Sequence, residues 1–341
     1  MVDVGFPQSL PEFQRMFPDD AACASYLEAV RWRDGFQCPR CNSTAAPIRV
    51  ARPGVLRCKG CKRDIALTAG TVMERTHTPL VTWFWAAYLI SSLTPGMSAT
   101  QLQRQLGLTR YETAFQILHK LRSSMAITSG RIGYATGVAH VEADETWVGG
   151  RTRGKGRGVN DAQTLVIAAV EVRQRAAKPE REDGKGKPRR GGRYAGRLRM
   201  SVVPDRRAAT LMPWVESNVD PATPMVVTDG HQGYASLASR GYQHLAVAER
   251  GEPQVAEDYL PIVHLIFSNL KAWLDGVHHG VSAQHLQAYL NEFVFRFNRR
   301  FYPLNSFRSL LGLAAMSESP TYDELYDGDW IHHGAPTSGG S

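Results

Sequence analysis

Two groups of residues in this 341-residue chain have types and spacings that could do chemistry. The first is Cys38-Pro-Arg-Cys41, then sixteen residues, then Cys58-Lys-Gly-Cys61. Two C-x2-C pairs at that separation let each pair grip one side of a tetrahedral ion, with thiolates about 2.3 Å from zinc. All four positions are then filled by protein, which makes such a site structural rather than catalytic. Disulfides are the competing chemistry, but paired knuckles in a chain that opens without a secretion signal favour metal. Cys23 falls outside the pattern, in a helical stretch, and reads as a small core residue. The second group is a pair of aspartates, Asp144 inside an alternating segment and Asp229 at the end of an apolar one. A carboxylate in a strand interior is costly unless it is paired or binds a cation, and two converging carboxylates repel unless a divalent ion lies between them. Two hard oxygen ligands with open water positions describe a magnesium site.

The composition sets the class. With 43% hydrophobic and 21% charged residues, collagen-like, fully disordered and membrane classes are excluded, and the longest apolar window, 81–90, is well short of the roughly 20 residues a span requires. The expected location is the cytoplasm. Lys and Arg exceed Asp and Glu by 8, and the whole surplus lies in 173–199, where eleven basic residues face three acids. A smaller cluster, Arg151, Arg153, Lys155 and Arg157, alternates with glycines. Basic, Gly-rich loops beside ordered strands attract a polyphosphate backbone, although a solvated insertion has the same composition.

Before the ribbon, 9–33 reads as helices with apolar Phe13, Met16, Phe17, Tyr26, Leu27 and Val30. Short strands at 48–50 and 55–57 would form the hairpins between knuckles whose turns carry Asn42 and Gly60. After it, the aromatic segment 83–88 has the spacing of a buried helix and reads as core rather than a base-stacking platform. From 98 to 125 the pattern is helix, short turn, helix, with Ser98 and Thr109 as caps and Gly107 in the break. A helix-turn-helix has this form and places its second helix in the DNA major groove, making Arg110, Tyr111, Gln116, His119 and Lys120 candidate contacts.

From His140 the pattern changes to strands: 140–148, 164–172 and 197–203, an antiparallel meander whose second connection is the basic segment 173–199. A helix at 206–219, a buried strand at 225–228, a helix at 234–240, a strand at 244–247 and helices from 259 to 299 follow. This is the element order of an RNase H-like α/β fold, in which the middle of the first strand and the end of the fourth are adjacent, so Asp144 and Asp229 would meet. His278 and His279, in a turn at 276–282, read as phosphate or backbone contacts rather than metal ligands. Glu292 reads as an ion-pair partner on the last long helix.

Asp144-Glu-Thr-Trp-Val-Gly-Gly150 followed by a basic loop, Thr228-Asp229-Gly-His-Gln-Gly-Tyr234, Gly241-Tyr-Gln-His244 and Tyr289-Leu-Asn-Glu-Phe-Val-Phe-Arg-Phe-Asn-Arg-Arg300 resemble, in order and spacing, the zinc-ribbon insertion-sequence transposases of bacteria, the ISXO-type group of the DDE superfamily. The resemblance covers nearly the whole chain. Together with the pattern read above and the acidic, then Gly/Ser-rich composition after 322, it divides the chain into a helical segment and zinc ribbon (1–70), a helix-turn-helix region (71–130), an RNase H-like catalytic domain (135–312) with the basic insertion 173–199, and an expected disordered tail (322–341).

The resemblance also implies a third metal ligand on a later helix, usually Glu, with Lys or Arg seven residues on. Alignment through Lys271 places His264 in the acid's position, 35 residues after Asp229, with both side chains on one helix face. Imidazole is softer than carboxylate, so this site should hold Mg2+ less firmly and accept Mn2+ relatively better. Glu257 and Asp258 are alternative sources of the third oxygen. The implied activity is DNA transposition: binding of terminal inverted repeats, cleavage at element ends, and joining of the 3′-OH to target DNA by metal-ion phosphoryl transfer at Asp144, Asp229, His264 and Lys271. Structural Zn2+ would sit on Cys38, Cys41, Cys58 and Cys61. Double-stranded DNA would lie against Arg110, Tyr111, Lys120, Arg151, Arg153, Lys155, Arg157, Arg189, Arg190, Arg193, Arg299 and Arg300, with a homodimer or higher assembly joining the two ends and no membrane partner. A zinc-ribbon transcription regulator and a nuclease without strand transfer are the competing functions.

Overall fold

A computed structural model describes residues 5–52, 54–126, 130–149, 163–177, 191–247 and 259–327. Arg151, Arg153, Lys155, Arg157, Arg189, Arg190, Glu257 and Asp258 lie outside the described residues. The chain divides into two compact units, one of 1–127 with 299–330, the other centred on 128–298.

The first unit opens with α1 (Leu10–Met16) and α2 (Asp20–Arg31), whose N-caps Ser9 and Asp19 accept the Glu12 and Ala22 N–H groups. The ribbon follows as a three-stranded antiparallel sheet: β1 (Ile48–Arg49), β2 (Val55–Arg57) and β3 (Asp64–Ala66). Beyond it lie α3 (Leu80–Ser92), α4 (Ala99–Gln105) and α5 (Tyr111–Met125). Ser98 caps α4 through the Gln101 N–H as the sequence predicts, whereas α5 has Arg110 rather than Thr109 at its N-cap, with no side-chain bond there. The aromatic segment of α3 is core: Phe84 and Tyr88 pack with Phe13, Phe17 and Phe307.

Phe307 belongs to α9 (Pro303–Ala314), which corrects the expected end of the second unit at 312. Phe307 of that helix is buried against Phe13 and Phe17 and against Phe84 and Tyr88 of α3, and the Val72 N–H donates to the Ala314 carbonyl, so the chain returns to its first unit after 298. The expected tail also contains order, since Tyr322–Asp327 is a short helix, α10.

The second unit is a five-stranded sheet of order β6-β5-β4-β7-β8. The strands β4 (Val138–Gly149), β5 (Gln163–Arg175) and β6 (Gly192–Val202) are antiparallel neighbours, while β7 (Val226–Thr228) and β8 (His244–Ala246) add parallel to β4. Strand order and polarity are those of the RNase H-like fold expected from the sequence. On one face, Val141, Ala143 and Ile167 pack with Trp214 of α6 (Ala208–Asn218) and with Tyr234. On the other, Val166, Ala168 and Val170 pack under α7 (Pro261–His278) and α8 (Ala283–Asn298). The helix expected at 234–240 is instead two 3-10 turns, Gln232–Tyr234 and Ala238–Arg240, closed by Gly241 at φ 89°. Gly233 has no room for a side chain, because a Cβ there would lie 2.5 Å from the Arg206 carbonyl oxygen.

The basic segment is not wholly a connection. β5 runs to Arg175 and β6 starts at Gly192, so Arg173, Arg175, Arg193, Arg197 and Arg199 are strand residues. Arg173 and Arg197 serve the fully buried Glu171, which also accepts the Gly133 and Arg197 backbone N–H groups at 3.0 and 3.1 Å. Arg199 is buried and donates to the Gly130 and Leu198 carbonyls. Burial alone would raise the Glu171 carboxyl, but these donors outweigh it and hold it below the ordinary 4.5. A depressed folded-state pKa adds stability above the unfolded value and loses it as pH falls. Glu171→Gln is therefore expected to cost about 2–3 kcal/mol at pH 7. In urea titrations across pH the gap to the unaltered protein should close below pH 4.5, and a gap independent of pH would contradict an ionised Glu171.

Candidate active site and zinc centre

The two cysteine knuckles are built alike. Asn42 and Lys62, each following a C-x2-C pair, adopt φ 56° and 60°, and their N–H groups donate back to the Cys38 and Cys58 carbonyls at 2.9 and 3.0 Å. Between the knuckles Gly60 is obligatory, since a Cβ would stand 2.9 Å from the Ser43 Cβ. The four sulfurs converge, with Cys38–Cys61 at 3.9 Å and Cys41–Cys58 at 3.7 Å. A tetrahedral ion with bonds of about 2.3 Å needs sulfurs about 3.8 Å apart, so the donor set fits zinc. The Cys61 N–H leads the influences that bring the Cys58 thiol down to about 6, which favours the thiolate a metal requires.

The carboxylates come from two neighbouring strands of the second unit. Asp144 sits in mid-β4 on the face toward α7, Glu145 follows it on the opposite face, and Asp229 terminates β7, the parallel neighbour of β4. One oxygen from each of Asp144, Glu145 and Asp229 lies within 4.8 Å of the others. Five of the six carboxylate oxygens accept one hydrogen bond, and the sixth faces the His264 imidazole. Asp144 takes the Glu145 N–H at 2.8 Å and faces the His264 Nε2 at 3.0 Å. Asp229 takes the His231 N–H and the Arg206 Nη2, each at 2.9 Å. Glu145 takes the Arg206 Nε at 2.7 Å and the Tyr234 hydroxyl. Every oxygen keeps a second lone pair for a cation.

Three carboxylates matched by one guanidinium leave the cluster about two charges short of neutrality, which suits a divalent ion. Cis ligands of an octahedral ion with bonds of about 2.1 Å are about 3.0 Å apart, the separation of the His264 and Asp144 atoms. His264 is not part of the group whose ligand atoms lie mutually within 4.8 Å, and it reaches the cluster through Asp144. Glu145 is pushed above the ordinary carboxylate range, first by burial, with Tyr234 and Arg206 opposing.

Helix α7 is held along β4 by alternate residues of that strand. The Ile262 and Val263 N–H groups donate to the Glu142 Oε2 at 2.9 and 2.8 Å, so a strand carboxylate caps the helix N-terminus. Asp144 then meets His264, and Thr146 accepts from the Lys271 Nζ at 2.7 Å. Burial lowers the Lys271 pKa while Asp144 opposes that shift. Glu142→Ala would strand two helix-terminal donors in a buried site and is expected to destabilise the protein by about 2–4 kcal/mol. Thermal denaturation checks this, and a loss under 1 kcal/mol would mean that α7 is not set by this contact.

Glu145, Arg206, Tyr234 and Glu142 are absent from the sequence-derived site. Period-2 alternation offered a signal for Glu145, a charged side chain on the strand face otherwise occupied by Val141 and Ala143. Other expected residues are placed differently. His119 is buried and stacked on Phe115 at 4.0 Å, which removes it from the candidate DNA contacts. Arg110 and Tyr111 are exposed at the start of α5, and Lys120 is partly buried with its pKa lowered by burial. Arg193 is exposed on β6, and Arg299 and Arg300 are partly exposed after α8, Arg300 over the Phe301 ring at 4.4 Å. His278 is the last residue of α7, not part of a turn, and packs on Trp273 and Tyr289. Glu292 pairs with Arg296, as expected.

Residues 135–298 match the ISXO2-like transposase domain, and residues 18–64 match the transposase zinc-ribbon domain. An uncharacterized protein in transposable element ISH50 of Halobacterium salinarum is 27% identical over 146 residues, which are 42% of this chain and 47% of that protein. The match thus spans less than half the length of that curated relative. No solved structure matches the chain. These two matches fall on the ribbon and on the five-stranded unit described above, so the chain joins a transposase zinc-ribbon domain to an ISXO2-like transposase domain.

Proposed function

We propose that the protein is a DNA transposase that binds the terminal inverted repeats of its element, cleaves at the element ends and joins the freed 3′-OH to target DNA. The observation that carries this reading is the convergence of Asp144 and Asp229 from neighbouring strands, with His264 on Asp144. Asp144, Asp229 and His264 would hold divalent ions, with Glu145 adjacent. Such ions, when bound, activate water or a 3′-OH for in-line attack and stabilise the leaving oxygen.

The protein's own groups do the rest. Arg206 fixes Glu145 and Asp229 in one orientation, and the His231 N–H fixes the second Asp229 oxygen. To act as a ligand, His264 must present an unprotonated Nε2. Lys271, held at Thr146 beside Asp144, is placed to steady a phosphate next to the scissile bond. The ribbon with α4 and α5, joined by residues 106–110, would read the inverted repeats, with Arg110, Tyr111 and Lys120 as contacts. Arg193, Arg299 and Arg300, together with the basic residues outside the described segments, would hold the backbone. Joining two ends requires a homodimer or higher assembly on DNA. Among the described residues no helix is long and apolar enough to cross a membrane, in keeping with action on DNA in the cytoplasm.

A labelled inverted-repeat duplex incubated with the full-length protein and Mn2+ or Mg2+ tests this reading. The expected products are end-cleaved and strand-transferred DNA, with Mn2+ relatively better than in an all-carboxylate site. Hydrolysis alone would favour a nuclease, and binding without cleavage a regulator.

A further inference from the structure

The first unit contains a cleft of about 760 Å3 between the C-terminal end of α2, with the turn that leads into the first cysteine knuckle, and helix α9. Four arginines line it, Arg31, Arg33, Arg299 and Arg308, against one acid, Asp34. They are contributed by segments some 270 residues apart in sequence, so nothing local assembles this charge.

The cleft is rigid on both walls. Arg31 is committed to structure, its guanidinium donating to the Leu67 and Ala69 carbonyls at 2.7 and 2.5 Å. The turn after it is closed by the Trp32 indole N–H on the Gln37 carbonyl at 3.1 Å and by the Trp32–Phe36 ring contact, which fixes where exposed Arg33 begins. On the opposite wall Arg308 lies over the Phe6 ring at 5.7 Å, and Arg299 sits in a turn closed by the Tyr302 N–H. Burial lowers the Arg299 pKa. Concentrated, preorganised guanidinium groups favour phosphate oxygens, which they bind with two donors each.

We propose that this cleft is a second DNA-binding surface, distinct from the start of α5, in which Arg33, Arg299 and Arg308 grip the phosphodiester backbone of duplex DNA without reading sequence. The assignment rests on the reading of the protein as a DNA transposase. The cleft also couples the ribbon to the C-terminal return of the chain, so the family's DNA-binding unit would include residues well beyond its amino-terminal part.

The test is fluorescence anisotropy of full-length zinc-loaded protein with an inverted-repeat duplex and a scrambled duplex, across a salt series. Arg33→Ala with Arg308→Ala is expected to weaken both duplexes about tenfold near 0.15 M salt and to lower the salt slope by about two. The Arg33→Lys with Arg308→Lys pair should retain most of the slope, separating lost charge from any loss of folding. A double variant that binds within twofold of the unaltered protein, with the same slope, overturns the proposal. So does a loss confined to the inverted repeat, or millimolar inorganic phosphate stabilising the unaltered protein but not the variant while duplex affinity stays equal, which would mark a free-anion site. If the unaltered protein binds neither duplex, the transposase reading itself fails.

Discussion

Asp144→Asn is expected to reduce end cleavage and strand transfer by about a thousandfold or more while the protein still folds and binds inverted-repeat duplex. Asparagine keeps the shape of the side chain and can still accept the Glu145 N–H. It replaces the oxygen facing the His264 Nε2 with an amide, which forces the imidazole to accept a hydrogen bond instead of leaving that nitrogen for a cation. It also removes one negative charge from a cluster whose excess charge is what would retain a divalent ion. The same loss is expected for Asp229→Asn, because its two oxygens are the ones fixed by Arg206 and the His231 N–H. Mn2+ should raise the melting temperature of the unaltered protein and not that of either variant. Cleavage within tenfold of normal in Asp144→Asn would remove Asp144 from the chemistry.

Removing zinc should have the second large effect. The ribbon's own core is Cys38, Cys58 and Ile65, with Phe36 and Cys61 at its margin, under three strands of two or three residues. So small a core cannot offset the entropy of ordering the chain, and a structural zinc supplies roughly 10 kcal/mol or more at sites of this kind. Chelation, or Cys58→Ser, is therefore expected to release one zinc per chain, open 36–66 to proteolysis and abolish inverted-repeat binding. The second unit should keep its own cooperative unfolding transition. A metal-free protein that binds inverted repeats normally would show that the four sulfurs serve no structural ion.

Much of this was legible in the chain before any coordinates. The knuckles were readable because their geometry is local: ligand spacing, Gly60 and the left-handed Asn42 are set within a few residues. The order of strands followed from apolar alternation, and Asp144 and Asp229 stood out as carboxylates in the interior of one strand and at the end of another. The end of the second unit was not readable. The stripe of α9 is amphipathic in any context, and only its burial against Phe13 and Phe84 assigns it to the first unit. Arg173, Arg197 and Arg199 read as part of a basic connecting loop because composition cannot reveal that Arg173 and Arg197 pair with a buried Glu171 on β5 or that Arg199 is itself buried. His119 fell on the buried face of α5, a distinction its position in the helical pattern left open.

What the amino-acid sequence determined by itself is therefore the set of groups and their local frames: four thiols on two knuckles, two aspartates on strands, a histidine and a lysine seven residues apart on one helix. The tertiary structure decided how they are supported. Glu142 sets the start of α7 so that His264 meets Asp144, and Arg206 joins Glu145 to Asp229. These partners lie 23 to 121 residues apart. Local propensity acts over a few residues, whereas such contacts exist only once the sheet has placed β4 beside β7 and beneath α7.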